Sequence, residues 1–151
     1  MNIVFLDRTG IPASHNIPRL SFPHTWTEYD RTLPEETFER SKDADIVVTS
    51  KVVFDQELLS RLPKLKLIAI TATGTNNIDL DAAKDLGIAV KNVTGYSGVT
   101  VPEHVLGMIF SLKHSLIGYH RDQVTSDRWA TCGQFCYTDY PITDVRGATL
   151  G

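Results

Sequence analysis

Short apolar runs rich in β-branched residues alternate along this chain with stretches whose apolar positions recur at helical spacing. The runs occupy residues 3–6, 25–29, 45–49, 67–71 and 88–90, each the length of a buried strand. Thr32-Leu-Pro-Glu35 reads as a capping box opening a helix to Arg40, with Pro34 tolerated in its first turn. Asp55 is placed to cap a short helix carrying Leu58, Leu59 and Leu62, which Pro63 closes. Asp79 is placed to cap residues 80–86, and Gly87 supplies a left-handed stop. Strand–helix alternation of this kind marks parallel βαβ units. The simplest arrangement of five such strands is a flavodoxin-like parallel sheet of order 2-1-3-4-5 with helices on both faces.

The later part of the chain follows another rule. Thr100-Val-Pro-Glu103 reads as a second capping box, opening a helix to about Tyr119. Twenty helical residues would span about 30 Å. Its apolar residues (Val101, Val105, Leu106, Met108, Phe110, Leu112 and Ile117 among them) run nearly all the way round, so several faces need cover. Gly107, Ser111 and Ser115 form a small-residue ridge where another helix can approach. Residues 120–144 place Trp129, Phe135, Tyr137 and Tyr140 among polar residues without a period. They form either a loop packed over its own domain or an arm that wraps a partner subunit. The uncovered helix favours the arm.

Composition narrows the class. In 151 residues, 42% hydrophobic and 22% charged residues describe a globular chain. The net charge of −3 offers no basic stripe for nucleic acid. No apolar stretch is long enough for a membrane span. The amino terminus lacks a basic region before its apolar run and reaches Asp7 at once, so no leader and a cytoplasmic location are expected. Cys132 and Cys136 lack a second ligand pair and the five histidines show no i, i+4 pairing, which argues for free thiols and against a metal site.

In a sheet of this order, ligands lie outside the carboxyl ends of the strands near the reversal of strand order. The loops to inspect are 7–9, 50–52 and 73–77, which trail three neighbouring strands. Thr71-Ala-Thr-Gly-Thr-Asn-Asn77 can present several backbone N–H groups to a carboxylate. As an isolated feature it is also an ordinary strand-to-helix turn. Lys51 is a cation placed to pair with an acidic substrate or to sit solvated. Asp7 ends strand one as a receiver-domain acid would, but Thr49-Ser50 stands where a receiver needs its aspartate. The 92–104 link has Gly95 and Gly98 for freedom and Tyr96 to project a hydroxyl. Thr100 sits at a helix start as a cap, where N–H groups favour anions.

At these residues the chain resembles the D-isomer-specific 2-hydroxyacid dehydrogenases, in their glycerate dehydrogenase (hydroxypyruvate reductase) branch. The marks are Lys-Leu-Ile-Ala-Ile-Thr-Ala-Thr-Gly-Thr-Asn-Asn-Ile-Asp at 66–79, Ala82-Ala83 with Gly87-Ile88-Ala89-Val90, and Asn92-Val93 with Tyr96 and Val101-Pro-Glu-His-Val105. Pro102 departs from the alanine that many relatives carry there, within a first turn that tolerates it. The resemblance implies that the backbone of Thr73, Gly74 and Thr75 holds a substrate carboxylate, with Lys51 and Tyr96 near the substrate. It places Thr100 near the nicotinamide end of NAD, and makes the long helix and arm a homodimer element over residues 101–145. It divides the chain into a substrate-binding domain (1–98), a linker helix and dimerisation arm (99–145), and the start of an NAD-binding Rossmann domain (146–151).

No G-x-G-x-x-G occurs in these residues, and the family's catalytic arginine, glutamate and histidine fall later than Gly151. Glu103 and His104 point in different directions on a helix and do not replace them. The expectation is the substrate-binding part of an NAD-dependent oxidoreductase acting on small D-2-hydroxy acids, truncated, without catalytic residues and inactive alone. Two readings from other classes stay open. A stand-alone acid-binding or interaction module would show saturable heat with glycerate or oxalate. An FMN-binding flavodoxin-like protein would colour with FMN.

Overall fold

The computed structural model describes residues 1–18 and 20–151. The chain divides into two compact units, Met1–Gly95 and Tyr96–Gly151.

The first unit is built on five parallel strands: β1 (Asn2–Phe5), β2 (Thr25–Glu28), β3 (Ile46–Thr49), β4 (Leu67–Ile70) and β5 (Ala89–Lys91). Their order is β2-β1-β3-β4-β5, the flavodoxin-like order expected from the alternating pattern. Ile3 lies opposite Trp26 on one side and Ile46 on the other, which fixes the register of β1 between β2 and β3. Ile68, Ile70 and Val47 are buried with Leu6, Phe54 and Leu59 to form the core. The buried positions fall on the inner strands β1, β3 and β4, whose apolar runs stood out in the sequence, while β2 and β5 at the edges are largely exposed. Right-handed crossovers place α1 (Pro34–Ser41), α2 (Gln56–Ser60) and α3 (Leu80–Asp85) on one face. The β1–β2 connection, with the 3-10 turn Arg8–Gly10, runs over the other, so both faces carry helical elements.

In this unit two of the three expected caps form as read. Leu58 N–H donates to Asp55 at 2.8 Å, and Ala82 N–H donates to Asp79 at 3.0 Å. Gly87 follows α3 with φ +71°, a conformation glycine adopts without a Cβ penalty. The third is corrected. Thr32 does not cap α1; its hydroxyl donates to Leu6 C=O across the sheet end at 2.5 Å. The cap residue is Leu33, whose N–H is accepted by Glu36 at 2.8 Å rather than by Glu35. The Thr32 oxygen, which a cap would offer to a helix N–H, instead accepts from Arg40 at 2.9 Å.

The amino ends of β3 and β4 are tied by surface ion pairs. Lys64 reaches Asp43 at 2.6 Å and Lys66 reaches Asp45 at 2.9 Å. The Lys66 ammonium, with Asn2 N–H, holds the Asp45 carboxyl below the usual carboxylate range; Lys64 does the same to Asp43. These pairs lie at the end of the sheet opposite the loops that could take a ligand.

In the second unit, α4 (Thr100–Lys113), α5 (Leu116–Thr125) and α6 (Arg128–Thr131) replace the single helix expected to Tyr119. The break is at Ser115, which takes φ 48°. Its hydroxyl donates to Pro141 C=O at 2.6 Å, and Lys113 C=O accepts from Thr143 N–H at 2.8 Å. The arm thus occupies the Lys113 carbonyl that a continuous helix would use. The Thr100 capping box is corrected too: the cap residue is Val99 and no side chain caps α4. Val101 N–H instead donates to Ser97 C=O at 3.1 Å, extending the turn backwards.

The arm's aromatic residues divide. Tyr119, Tyr137, Tyr140 and Trp129 pack edge-on or tilted with centroids 5.2–6.0 Å apart, joined by the Arg128–Asp139 pair. Burial pushes the Tyr137 hydroxyl above its ordinary pKa. Phe135, by contrast, is 95% exposed. Residues 145–148 form a turn in which Ala148 N–H donates to Val145 C=O at 3.0 Å. No strand is formed at 146–151. Among the described residues no helix is long and apolar enough to cross a membrane.

Candidate functional site

The carboxyl ends of β1, β3 and β4 meet, as the strand order requires, and the meeting point is Asp7. Its carboxylate accepts Ser50 N–H on both oxygens at 2.9 Å, Lys51 N–H at 2.8 Å and the Thr49 hydroxyl at 3.1 Å. Thr49 is fully buried and its oxygen also accepts Val52 N–H at 3.1 Å. The turn after β3 is thereby closed on itself. Ser50 then reaches β4: its hydroxyl is 2.6 Å from that of Thr71. The first strand's trailing turn approaches from above, where a Cβ on Gly10 would stand 3.2 Å from Ser50 Oγ.

The loop after β4 is held at both ends and free in the middle. At its start, Thr73 donates its hydroxyl to Val93 C=O at 3.0 Å, and Asn92 donates to Thr73 C=O at 2.6 Å. At its end, the Asn77 side chain donates to Val52 C=O, and Asn77 C=O accepts from Phe54 N–H, both at 2.9 Å. Between these anchors the N–H groups of Thr73, Gly74 and Thr75 find no acceptor among the described residues. Backbone donors side by side, pinned and unspent, form a carboxylate receptor that needs little reorganisation on binding. The contrast with the β3 turn is chemical: there Asp7 already occupies the donors.

Of the expected site residues, Thr73, Gly74 and Thr75 lie together on this loop. Lys51 is joined to it through Ser50–Thr71 and Asn77–Val52. The Lys51 side chain is exposed, and its ammonium has no partner among the described residues. Tyr96 and Thr100 belong to the other unit. There Tyr96 is 64% exposed, and Thr100 begins α4, where it lines a groove of about 590 Å³ with His104, Gly107 and Ser111. A larger groove, about 710 Å³, runs between α1 and α2 from Asp7 and Lys51 to Arg61, over Phe38 and Leu58. It contains none of Thr73, Gly74 or Thr75.

Sequence reasoning placed Asp7, Ser50 and Thr71 at the strand ends but missed the bonds that join them. Asp7 was visible as an acid ending a strand, but its donors are 42–44 residues away. Ser50 and Thr71 gave one signal: each stands at the carboxyl end of a neighbouring parallel strand. Asn77 and Asn92 gave none beyond the common use of asparagine in turns.

No group of three metal-ligating side chains gathers among the described residues. No G-x-G-x-x-G is present in residues 1–151, and no strand forms at 146–151.

With the geometry established, comparison with known proteins adds what the loop alone does not say. A model described as the D-isomer specific 2-hydroxyacid dehydrogenase catalytic domain matches residues 6–149. The chain is 71% identical over all its 151 residues to a Haemophilus influenzae protein assigned to the 2-hydroxyacid dehydrogenases, covering 48% of that protein. It is 45% identical over 150 residues to a glycerate dehydrogenase of Methylorubrum extorquens, covering 99% of this chain and 47% of that one. The chain thus spans about half the length of these curated relatives. Among solved structures, an NAD-dependent formate dehydrogenase from Staphylococcus aureus in complex with NAD superposes with TM-score 0.64 at 25% identity. That match covers 82% of this chain and 40% of the other.

Proposed function

Since the chain belongs to the D-isomer specific 2-hydroxyacid dehydrogenase family, we propose that its first unit holds the substrate carboxylate for an NAD-dependent oxidoreductase acting on small D-2-hydroxy acids of the glycerate and hydroxypyruvate type. The observation that carries the reading is the unspent donor set on Thr73, Gly74 and Thr75 at the carboxyl end of β4. Bound there, a carboxylate would take N–H bonds on its oxygens, and the Lys51 ammonium would balance its charge. Charge-assisted bonds of this kind are about twice as strong as neutral ones. They fix one end of a small acid, leaving C2 to be presented to the reacting partner. The 45% identity to a glycerate dehydrogenase supports the choice of acid.

NAD, when bound, would supply or accept the hydride. These residues contribute binding and orientation rather than transfer. The 151-residue polypeptide is therefore expected to give saturable heat with oxalate or D-glycerate, yet to leave NADH unoxidised with hydroxypyruvate. Absence of saturable heat would overturn the carboxylate site. NADH oxidation above a heat-killed control would overturn the division of labour.

The second unit is proposed as a homodimer element over residues 101–145. No residue of α4 is buried, and Leu112 and Ile117 are each 73% exposed. Apolar surface of this extent on a soluble unit marks an interface. Sedimentation at micromolar concentration is expected to show a dimer, and a monomer would count decisively against the proposal.

A further inference from the structure

Asp7 is the group at the carboxyl end of the sheet that carboxylate binding does not explain. It lies two hydrogen bonds from the 71–77 loop, by way of Ser50 and Thr71. A negative charge so near an anion site opposes binding, so its presence calls for a compensating role. The geometry supplies one.

Ser50 is fixed from three directions. Asp7 takes its N–H, Thr71 meets its hydroxyl, and Gly10 closes over it with no Cβ to intervene. Lys51 is fixed through its N–H alone, its side chain leaving toward solvent from a backbone that Asp7 holds. A carboxylate suits this position: Ser50 N–H reaches both oxygens and Oδ2 also takes Lys51 N–H and the Thr49 hydroxyl. Asparagine would offer those three donors a single oxygen and set an N–H₂ beside Ser50 N–H. The buried Thr49 hydroxyl, donating to Asp7 and accepting from Val52, ties the carboxylate to the turn after β3.

We infer that Asp7 is a positioning residue of the anion site. It sets the direction in which Lys51 leaves the backbone and, through the Ser50–Thr71 hydroxyl pair, the start of the loop carrying the free N–H groups. The inference rests on the carboxylate-binding reading and adds to it a residue that touches no substrate. It also gives the loop after β1 a function distinct from that of a ligand-binding turn: its acid fills the β3 turn's own donors, leaving the β4 loop as the place where an external anion finds partners.

The test uses the full chain, with oxalate as the probe, in Asp7→Asn and Ser50→Ala variants. If Asp7 acted only through its charge, Asp7→Asn would tighten oxalate binding. Positioning gives the opposite sign, a loss of about tenfold. The Ser50 and Lys51 amide protons are expected to move upfield as the charged acceptor is lost, and the Gly74 amide to move with them. Ser50→Ala keeps every bond from Asp7 to the backbone and cuts only the link to Thr71. It is expected to weaken oxalate severalfold at an unchanged melting temperature, and it decides the matter alone if Asp7→Asn does not fold. Folded Asp7→Asn that binds as tightly as wild type or tighter overturns the inference, as does Ser50→Ala indistinguishable from wild type. A wild-type chain without saturable oxalate binding overturns the carboxylate reading and this inference with it. Wild-type binding with an indifferent Asp7→Asn overturns this inference alone.

Discussion

Phe54→Ala is expected to lower the stability of the chain by about 3–5 kcal/mol. Phe54 is fully buried and, with Phe5, is among the largest side chains in the core. Truncation removes its transfer free energy and leaves a cavity that neighbours such as Leu59 and Ile78 fill only in part. The position matters as much as the volume. Phe54 forms a parallel bridge with Ile78: its N–H donates to Asn77 C=O and its C=O accepts from Asp79 N–H, both at 2.9 Å. These backbone bonds survive in alanine, so the whole loss is charged to packing. Set against about 5–15 kcal/mol for an ordinary domain, it is a large fraction of the total. Urea unfolding followed by circular dichroism reads it as a fall in midpoint at unchanged slope. A loss below about 1.5 kcal/mol would mean that the core collapses into the space.

Lys51→Ala is expected to weaken oxalate or D-glycerate about ten- to hundredfold while leaving stability within about 0.5 kcal/mol of wild type. The two effects separate because the residue is used in two parts. Its N–H is held by Asp7, and alanine keeps that bond. Its ammonium is exposed and pairs with no described residue, so the fold loses nothing with it. Because the ammonium is solvated, the ligand contribution should shrink with added salt. Calorimetry at two ionic strengths checks both points, and a change of less than twofold at low salt would remove Lys51 from the site.

The parts of this structure that were legible in sequence are those whose physics is local or periodic. The five strands and their order followed from apolar β-branched runs and the economy of parallel crossovers. Asp55, Asp79 and Gly87 were legible because a cap needs only its next three residues or its own φ. Thr32 was misread because its hydroxyl is engaged elsewhere, donating to Leu6 C=O 26 residues away and accepting from Arg40. The same limit governs the site. Strand order alone brings the three loops together, so the region was predictable. Which donors would be spent there was not, because that depends on Asp7 reaching residues beyond its own strand. Thr100 failed as a cap because the chain before it keeps turning and satisfies the helix start with backbone alone.

The break at Ser115 has a consequence for helix length. The sequence from Lys113 to Leu116 contains neither proline nor glycine, and serine is an unusual choice for a left-handed residue. What a glycine would lack is the hydroxyl that grips Pro141, 26 residues further on. The stop is therefore imposed from a distance: the arm terminates α4 by taking its carbonyl and hydroxyl partners. Removing the arm's grip is therefore expected to let the chain from Thr100 to Thr125 continue as one rod, which circular dichroism would read as a gain in helical content.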